Sequence, residues 1–483
     1  VPVIESTRPL YVAGAAEHGD VELLVRHPYD GAVVGRTSFA SPAQVERAVA
    51  AAVTVAGEAA ALPAHVRAGA LDHVSRRLAE RADEVAALIT AENGKPLKWA
   101  RAEVSRGVST FRWAAEEARR FTGELQRLDT DPAATGRLAL IRRFPRGPVL
   151  GISPFNFPLN LVAHKVAPAI AVGAPIVLKP APATPLTALL LGEILAETDL
   201  PVGMFSVLPV PNDRAGDLVA DPRLPVVSFT GSGPVGAQIR AAVPHKHVTL
   251  ELGGNAAAVV CADWSSEADL DWAATRIATF SNYQAGQSCI AVQRVLVHAS
   301  AYDRLAELVT TKVAALRTGD PTDPDTDVGP MISEDAARRV EAWVNEAVAG
   351  GAKLLTGGVR DGLSYAPTVL TQVPPEAKVW ADEVFGPVLV LSPAESDDLA
   401  FAEVNRSAFG LQAGVFTHDL RTAFTAHRVL EVGGVIVGDV PSYRADQMPY
   451  GGLKGSGDGR EGLRSAMDDY TEARVLVLTG LDL

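Results

Sequence analysis

Five short apolar runs punctuate residues 147–250: Gly-Pro-Val-Leu-Gly-Ile at 147–152, Pro-Ile-Val-Leu at 175–178, Met-Phe-Ser-Val-Leu at 204–208, Pro-Val-Val-Ser-Phe at 225–229 and His-Val-Thr-Leu at 247–250. Most lack strict polar alternation, which marks strands covered on both faces, as in a parallel sheet. Helical patterns fall between them at 160–172, 186–198, 213–219 and 234–242. This alternation is a βαβ series, and helices on both faces of the sheet predict a doubly wound, Rossmann-like α/β domain.

On the N-terminal side of this series the first third of the chain reads mainly as helices. Ser41-Pro42-Ala43-Gln44 puts Ser at a helix N-cap, Pro in the first turn and Gln where a capping box needs it. Further helices are expected near 66–92 and 98–121. On the C-terminal side a second α/β region runs from 251 to 440, with strand candidates at 292–298, 386–391, 412–416 and 434–437. Two segments stand outside both series: 137–145 alternates like an exposed strand, and 473–480 forms a C-terminal one. Unpaired edges invite pairing with another chain, so a small β arm forming an intersubunit sheet is expected there.

Bulk properties agree with a multidomain globular chain. With 483 residues it exceeds the roughly 250–300 that one core supports, so two or three domains are expected. A net charge of −13 argues against nucleic acid or an anionic membrane as main partner, without forbidding a local basic pocket. Two cysteines, Cys261 and Cys289, rule out a disulfide framework and suit a reducing compartment. No signal-like start and no run of about 18 apolar residues occurs, so a cytoplasmic protein is expected.

Gly231-Ser232-Gly233-Pro234-Val235-Gly236 matches G-x-G-x-x-G, follows a strand and opens a helix. It sits on a late strand of the series rather than the first. That position argues against the standard dinucleotide fingerprint and favours a tight, glycine-rich strand-to-helix turn.

Five other segments carry the chemistry: Gly-Ile-Ser-Pro-Phe-Asn-Phe-Pro at 151–158, Leu-Lys-Pro-Ala-Pro-Ala-Thr-Pro at 178–185, Thr-Leu-Glu-Leu-Gly-Gly-Asn at 249–255, Gln-Ala-Gly-Gln-Ser-Cys-Ile-Ala at 284–291 and Glu-Val-Phe-Gly-Pro at 383–387. In order and spacing they resemble the aldehyde dehydrogenase superfamily over nearly the whole chain. The resemblance implies that family's fold. A cofactor domain spans 1–125 and 146–250, a catalytic domain 251–440, an oligomerisation arm 126–145 and 465–483, and a substrate-side loop 441–464 returns to the cofactor domain. A homodimer or homotetramer, an NAD or NADP cofactor and no metal are implied with it.

The chemistry fits these residue types. An aldehyde releases hydride only after its carbonyl becomes tetrahedral, and a thiolate both attacks and later leaves well. The resemblance makes Cys289 the nucleophile, whereas Cys261, inside the apolar run 256–261, reads as a small buried hydrophobe. It also assigns Asn156, with the backbone N–H of Cys289, to the oxyanion, and Glu251 as general base for thioester hydrolysis. Relatives that transfer the acyl group to coenzyme A lack this glutamate. Cofactor contacts are implied at Ser153, Pro154, Phe155, Lys179, Pro182, Gly231, Ser232, Gly236, Leu252, Glu383 and Phe385: Lys179 on the adenosine ribose, Ser232 at a helix start facing the pyrophosphate, Glu383 on the nicotinamide ribose, Phe385 beside the ring.

Two departures from the family pattern stand out. Phe155 replaces a common Trp, and Pro182 stands where many NAD-using relatives carry a ribose-binding Glu. Proline neither accepts from a ribose nor repels a 2′-phosphate, so NADP becomes admissible, with NAD kept ahead. At positions that map to the substrate tunnel, Arg106, His164 and Arg444 are basic, Tyr283 is an aromatic wall, and Phe157 and Ser288 flank the catalytic residues. Arg444 lies just before Met448-Pro-Tyr-Gly-Gly. Guanidinium groups suit a carboxylate or phosphonate. A small anionic or hydroxylated aldehyde (a semialdehyde, lactaldehyde or phosphonoacetaldehyde) is one reading; the other makes the two arginines a solvated face and a loop salt bridge, and His164 a satisfied helix residue. A general aliphatic or aromatic aldehyde dehydrogenase and a non-catalytic homologue are the alternative functions.

Overall fold

The computed structural model describes residues 7–480. The first six and last three residues, parts of the expected cofactor domain and arm, lie outside the described residues.

The five apolar runs become five parallel strands, Val149–Ile152, Ile176–Lys179, Phe205–Val207, Val226–Thr230 and His247–Glu251, the centre of an eight-stranded sheet. Val149–Ile152 pairs with both Ile176–Lys179 and Val226–Thr230, so the sequence-ordered strands lie 3-2-1-4-5. That reversal is the switch point where open α/β sheets bind ligands beyond their strand ends. Antiparallel strands Leu10–Val12, Ala15–Glu17 and Gly457–Asp458 extend the two edges. Helix Asn160–Val172 is buried along its entire length. Polar side chains in such a helix need internal partners, and Asn160, His164 and Lys165 all find them at the site described below.

Ala257–Val260 starts a second, seven-stranded sheet, flanked by Arg294–His298 and Gln412–Phe416, with Val388–Ala394, Thr368–Thr371 and Gly434–Val437 parallel and Lys353–Thr356 antiparallel. Cys261 follows the first of these strands directly and is wholly buried. The five residues 252–256 connect the two sheets, so Glu251 closes one and the other begins six residues later.

A three-stranded antiparallel sheet joins Thr471–Thr479, Arg137–Pro145 and Glu124–Arg127. The C-terminal strand thus starts at Thr471. Residues 465–469, expected in the arm, belong instead to helix Leu463–Asp469, whose Leu463 and Met467 pack into the first sheet's core. Its apolar residues seek the nearest core rather than the exposed arm.

In the first third, helices Pro42–Ala61, Ala64–Glu80, Ala82–Asn93 and Leu97–Arg120 follow four strands that helical periodicity does not announce. Among them, Val21–Arg26 and Val33–Phe39 form a hairpin. Ser41 Oγ accepts from Gln44 N at 3.3 Å and Ser41 N donates to Gln44 Oε1 at 2.9 Å, a closed capping box that contributes about 1 kcal/mol.

Candidate active site

The segment before Cys289 is strained. Gln284, Ala285 and Gly286 all have left-handed backbones, with φ of 55°, 52° and 68°. Each such non-glycine residue stores about 1–3 kcal/mol and persists only where its surroundings over-determine it. Gly286 packs so tightly on the 383–387 motif that a Cβ would lie 2.0 Å from the Gly386 carbonyl oxygen. Gly254 is equally constrained: its Cβ would lie 2.2 Å from the carbonyl oxygen of Cys289. Three of the five motifs are thereby interlocked around the nucleophile. Cys289 keeps a partly accessible face, and its Sγ lies 3.1 Å from the Tyr450 hydroxyl. Burial pushes its thiol up to about 12, against the opposing effect of the Tyr450 hydrogen bond.

Asn156 Nδ2 donates to the Gln287 carbonyl at 3.0 Å, two residues before Cys289, and its Oδ1 is buried without a partner. An amide carries two N–H donors, so one remains for a ligand oxygen. Asn93 bridges the same two segments, donating to the Phe155 carbonyl at 2.7 Å and accepting from Gln284 Nε2 at 2.6 Å. Lys95 Nζ donates to the Asn156 carbonyl at 2.9 Å, lies 4.0 Å from the Phe157 ring centroid, and pairs with buried Glu103. Glu103 in turn accepts from Leu159 N and Asn160 N at 2.9 and 3.1 Å, fixing the turn beyond Asn156.

Glu251, 3% exposed, has neither carboxylate oxygen bonded. Burial first, then neighbouring Glu461, holds its carboxyl well above the usual range. Glu461 shows the opposite behaviour. Burial alone would push it up, but Lys165 and Arg444 outweigh that and hold it low. Its Oε1 accepts from Lys165 Nζ at 3.2 Å and its Oε2 from Arg444 Nη2 at 3.1 Å.

Among the residues expected on the substrate side, Asp446 Oδ1 accepts from Arg106 Nη2 at 2.8 Å, lies 3.0 Å from His164 Nε2, and accepts from Asn160 Nδ2 at 3.2 Å. Of the two readings of His164, a basic substrate-side group or a satisfied helix residue, the contact with Asp446 favours the second, and burial, then Arg444, pushes its pKa down. Arg106 keeps its guanidinium partly exposed, whereas Arg444 is enclosed. Tyr283 donates to Ser288 Oγ at 2.7 Å and packs against Phe157, Trp99 and Phe280.

The implied cofactor residues gather at the strand ends. Ser153 to Asn156 leave strand Val149–Ile152, Lys179 ends the next, Gly231 and Ser232 follow Val226–Thr230, and Leu252 follows Glu251. Ser232 is the exposed N-cap of helix Gly233–Ala242, its hydroxyl making no capping bond, and Gly236 lies buried in the first turn. Lys179 Nζ donates to Asn212 Oδ1 at 2.9 Å, and burial pushes it down to about 8. Glu383 accepts from Gly254 N at 2.9 Å, with burial pushing it up to about 7. Phe385 (φ 48°) meets Phe155 edge-on at 6.0 Å. Ser153 Oγ is a buried polar atom without a partner. A cation, a helix N-terminus and an orphaned hydroxyl around one crevice fit a dinucleotide carrying phosphates and riboses. Pro182, three residues after Lys179, adds no acceptor.

Asn93, Lys165, Asp446, Tyr450 and Glu461 shape the site and were not singled out from the sequence. The one signal available was Lys165, a lysine that with Asn160 and His164 interrupts a mainly apolar helical pattern.

A family profile described as Aldehyde dehydrogenase family matches residues 15–476. The 3-sulfolactaldehyde dehydrogenase of Priestia aryabhattai is 41% identical over 470 residues, 97% of this chain and 97% of that protein. The crystal structure of aldehyde dehydrogenase 21 from Physcomitrella patens, in complex with the reaction product succinate, aligns with a TM-score of 0.97 at 46% identity, covering 100% of both chains. The NADP-dependent glyceraldehyde-3-phosphate dehydrogenase of Bacillus halodurans C-125, complexed with NADP, aligns with a TM-score of 0.93 at 32% identity, covering 98% of this chain and 100% of that one.

Proposed function

The chain belongs to the aldehyde dehydrogenase family, whose members oxidise aldehydes to carboxylic acids with NAD(P), and from that premise we propose that Cys289, Asn156 and Glu251 carry out the reaction on a small aldehyde with an anionic end. Cys289 attacks as thiolate, forming a carbon–sulfur bond and placing negative charge on the former carbonyl oxygen. The free N–H of Asn156 and the backbone N–H of Cys289 hold that oxyanion. Lys179, Ser232 and Glu383 would hold a nicotinamide dinucleotide, which would supply the hydride acceptor for the tetrahedral carbon on Cys289. A thioester then remains on Cys289. Glu251 takes a proton from water as it attacks, the carbon–sulfur bond breaks, and the acid leaves. The observation that carries this reading is Glu251 itself: a buried carboxyl with both oxygens unpartnered is unfavourable in a structural role and suited to gripping water.

Arg106 supports the anionic substrate, being the part-exposed cation of the tunnel cluster. Relatives named for sulfolactaldehyde and glyceraldehyde 3-phosphate, and one bound to succinate, share an anionic group a few bonds from the aldehyde. Replacing Arg106 by Ala should raise KM for succinate semialdehyde about 10–100-fold, the value of one charged hydrogen bond, and leave propanal nearly unchanged. Equal effects on both would discard the anionic reading.

Lys179, with no carboxylate partner, and Pro182 support use of NADP as well as NAD. A kcat/KM ratio beyond about 100 in favour of either cofactor, the value of roughly 3 kcal/mol, would overturn that. The arm exposes Leu125, Val475, Leu476 and Val477, which supports a homodimer or homotetramer built through it. Sedimentation of a monomer at micromolar concentration would refute it.

A further inference from the structure

Tyr450 is built into the site with unusual rigidity. It is 4% exposed and packs with Ile290 and Leu411 against Cys289. Its backbone is clamped in a bridge to Glu461, donating at 2.9 Å and accepting at 2.6 Å. The guanidinium of Arg444 sits over its ring, 3.8 Å from the centroid. The ring's other constraint is at its tip, where the hydroxyl lies 3.1 Å from Cys289 Sγ, its one hydrogen-bond contact among the described residues.

Either atom can donate while the sulfur is a thiol. Once the sulfur is a thiolate it has no proton, and only the phenol can donate. Burial first, then the nearby Cys289 sulfur, holds the Tyr450 hydroxyl well above its ordinary range, which favours the protonated, donating phenol. A cation over the ring face draws electron density from the phenol and sharpens its O–H as a donor. Hydrogen bonds to an anion are about twice as strong as neutral ones, so the contact favours the ionised sulfur.

We infer that Tyr450 is a further catalytic residue: its hydroxyl donates to the Cys289 thiolate and enlarges the fraction of nucleophile in the reactive form. The inference rests on Cys289 being the attacking group. The thiol proton leaves for solvent, and Tyr450 keeps its own, so no proton transfer is asked of the phenol. Tyr450→Phe retains the ring, its packing and the Arg444 stack while deleting only the donor.

The test needs neither aldehyde nor cofactor. Iodoacetamide alkylates a thiolate, forming a sulfur–carbon bond and releasing iodide, so its rate against pH reports the ionised fraction. Cys289→Ser gives the background from Cys261. In Tyr450→Phe the midpoint should move up by about one unit, read as roughly tenfold slower alkylation at each pH below it. An unchanged midpoint would overturn the inference. Should that variant not fold, protein carrying 3,5-difluorotyrosine supplies a stronger donor, and its midpoint should fall; a stationary one overturns the proposal equally. Full aldehyde turnover by Cys289→Ser would instead sink the parent reading, a distinct result.

Discussion

Two sets of buried polar groups adjoin at this site, and they are finished differently. Around the nucleophile, Glu251 has two bare oxygens, Asn156 a bare Oδ1 and a spare N–H, and the 284–286 backbone is strained. Around Asp446 and Glu461 every basic group has a carboxylate, Arg106 and His164 sharing Asp446 while Arg444 and Lys165 share Glu461, and what stays bare there is a single nitrogen on each of Arg106, His164 and Arg444. A buried carboxyl with no cation or donor on it destabilises a fold, so it persists where a ligand completes it; charges that hold an opposite charge frame the site. The contrast separates residues that react from residues that shape the site.

The contrast can be broken most forcefully at the nucleophile. Cys289→Ser should lower turnover on the order of 10⁴–10⁶-fold, followed by absorbance of reduced cofactor, as for other covalent nucleophiles. Retained activity would remove the reacting cluster from the argument. Glu251→Gln should lower the steady-state rate about 10²–10⁴-fold while sparing a first-turnover burst, with acyl-enzyme accumulating in quenched samples. The pH profile sharpens this. A base works deprotonated, and the Glu251 carboxyl lies well above its ordinary range, so the wild-type rate should climb with pH through that raised value. The glutamine variant should lose that limb. Asn156→Ala should lower kcat about 10²–10³-fold through loss of one oxyanion donor.

Glu461→Ala tests the charge-paired side. It strands Lys165 and Arg444, and urea unfolding should show a loss of about 3–5 kcal/mol. Glu251→Gln should show the smallest effect, with the opposite sign. A carboxyl raised in the folded state contributes stability below the unfolded value of 4.5 that is lost as pH rises through the folded value. The variant should therefore unfold less readily than wild type above that window, and equal midpoints there would erase the distinction between the clusters.

Legibility in the sequence followed the range of the interactions. The parallel strands were readable because burial on both faces leaves uninterrupted Val, Ile and Leu runs, as in Val226–Thr230. The capping box at Ser41 was readable because it closes over three residues. The strand Leu10–Val12 was not, since its order in the sheet depends on pairing with Phe205–Val207. Asp446 was passed over because nothing near it shows that Arg106, Asn160 and His164 converge on one of its oxygens. The G-x-G-x-x-G pattern was a local match whose place on the fourth strand of the series already set it apart from a first-strand fingerprint.

By itself the chain of letters determined the reaction class and the alternating architecture, because both are written in short motifs and in hydrophobic rhythm. Which charges are neutralised, which oxygens stay bare, and that a tyrosine 161 residues away touches the reactive sulfur were decided only by tertiary structure. The physical reason is that desolvation and hydrogen bonding act over a few ångströms of space, whatever the distance along the backbone.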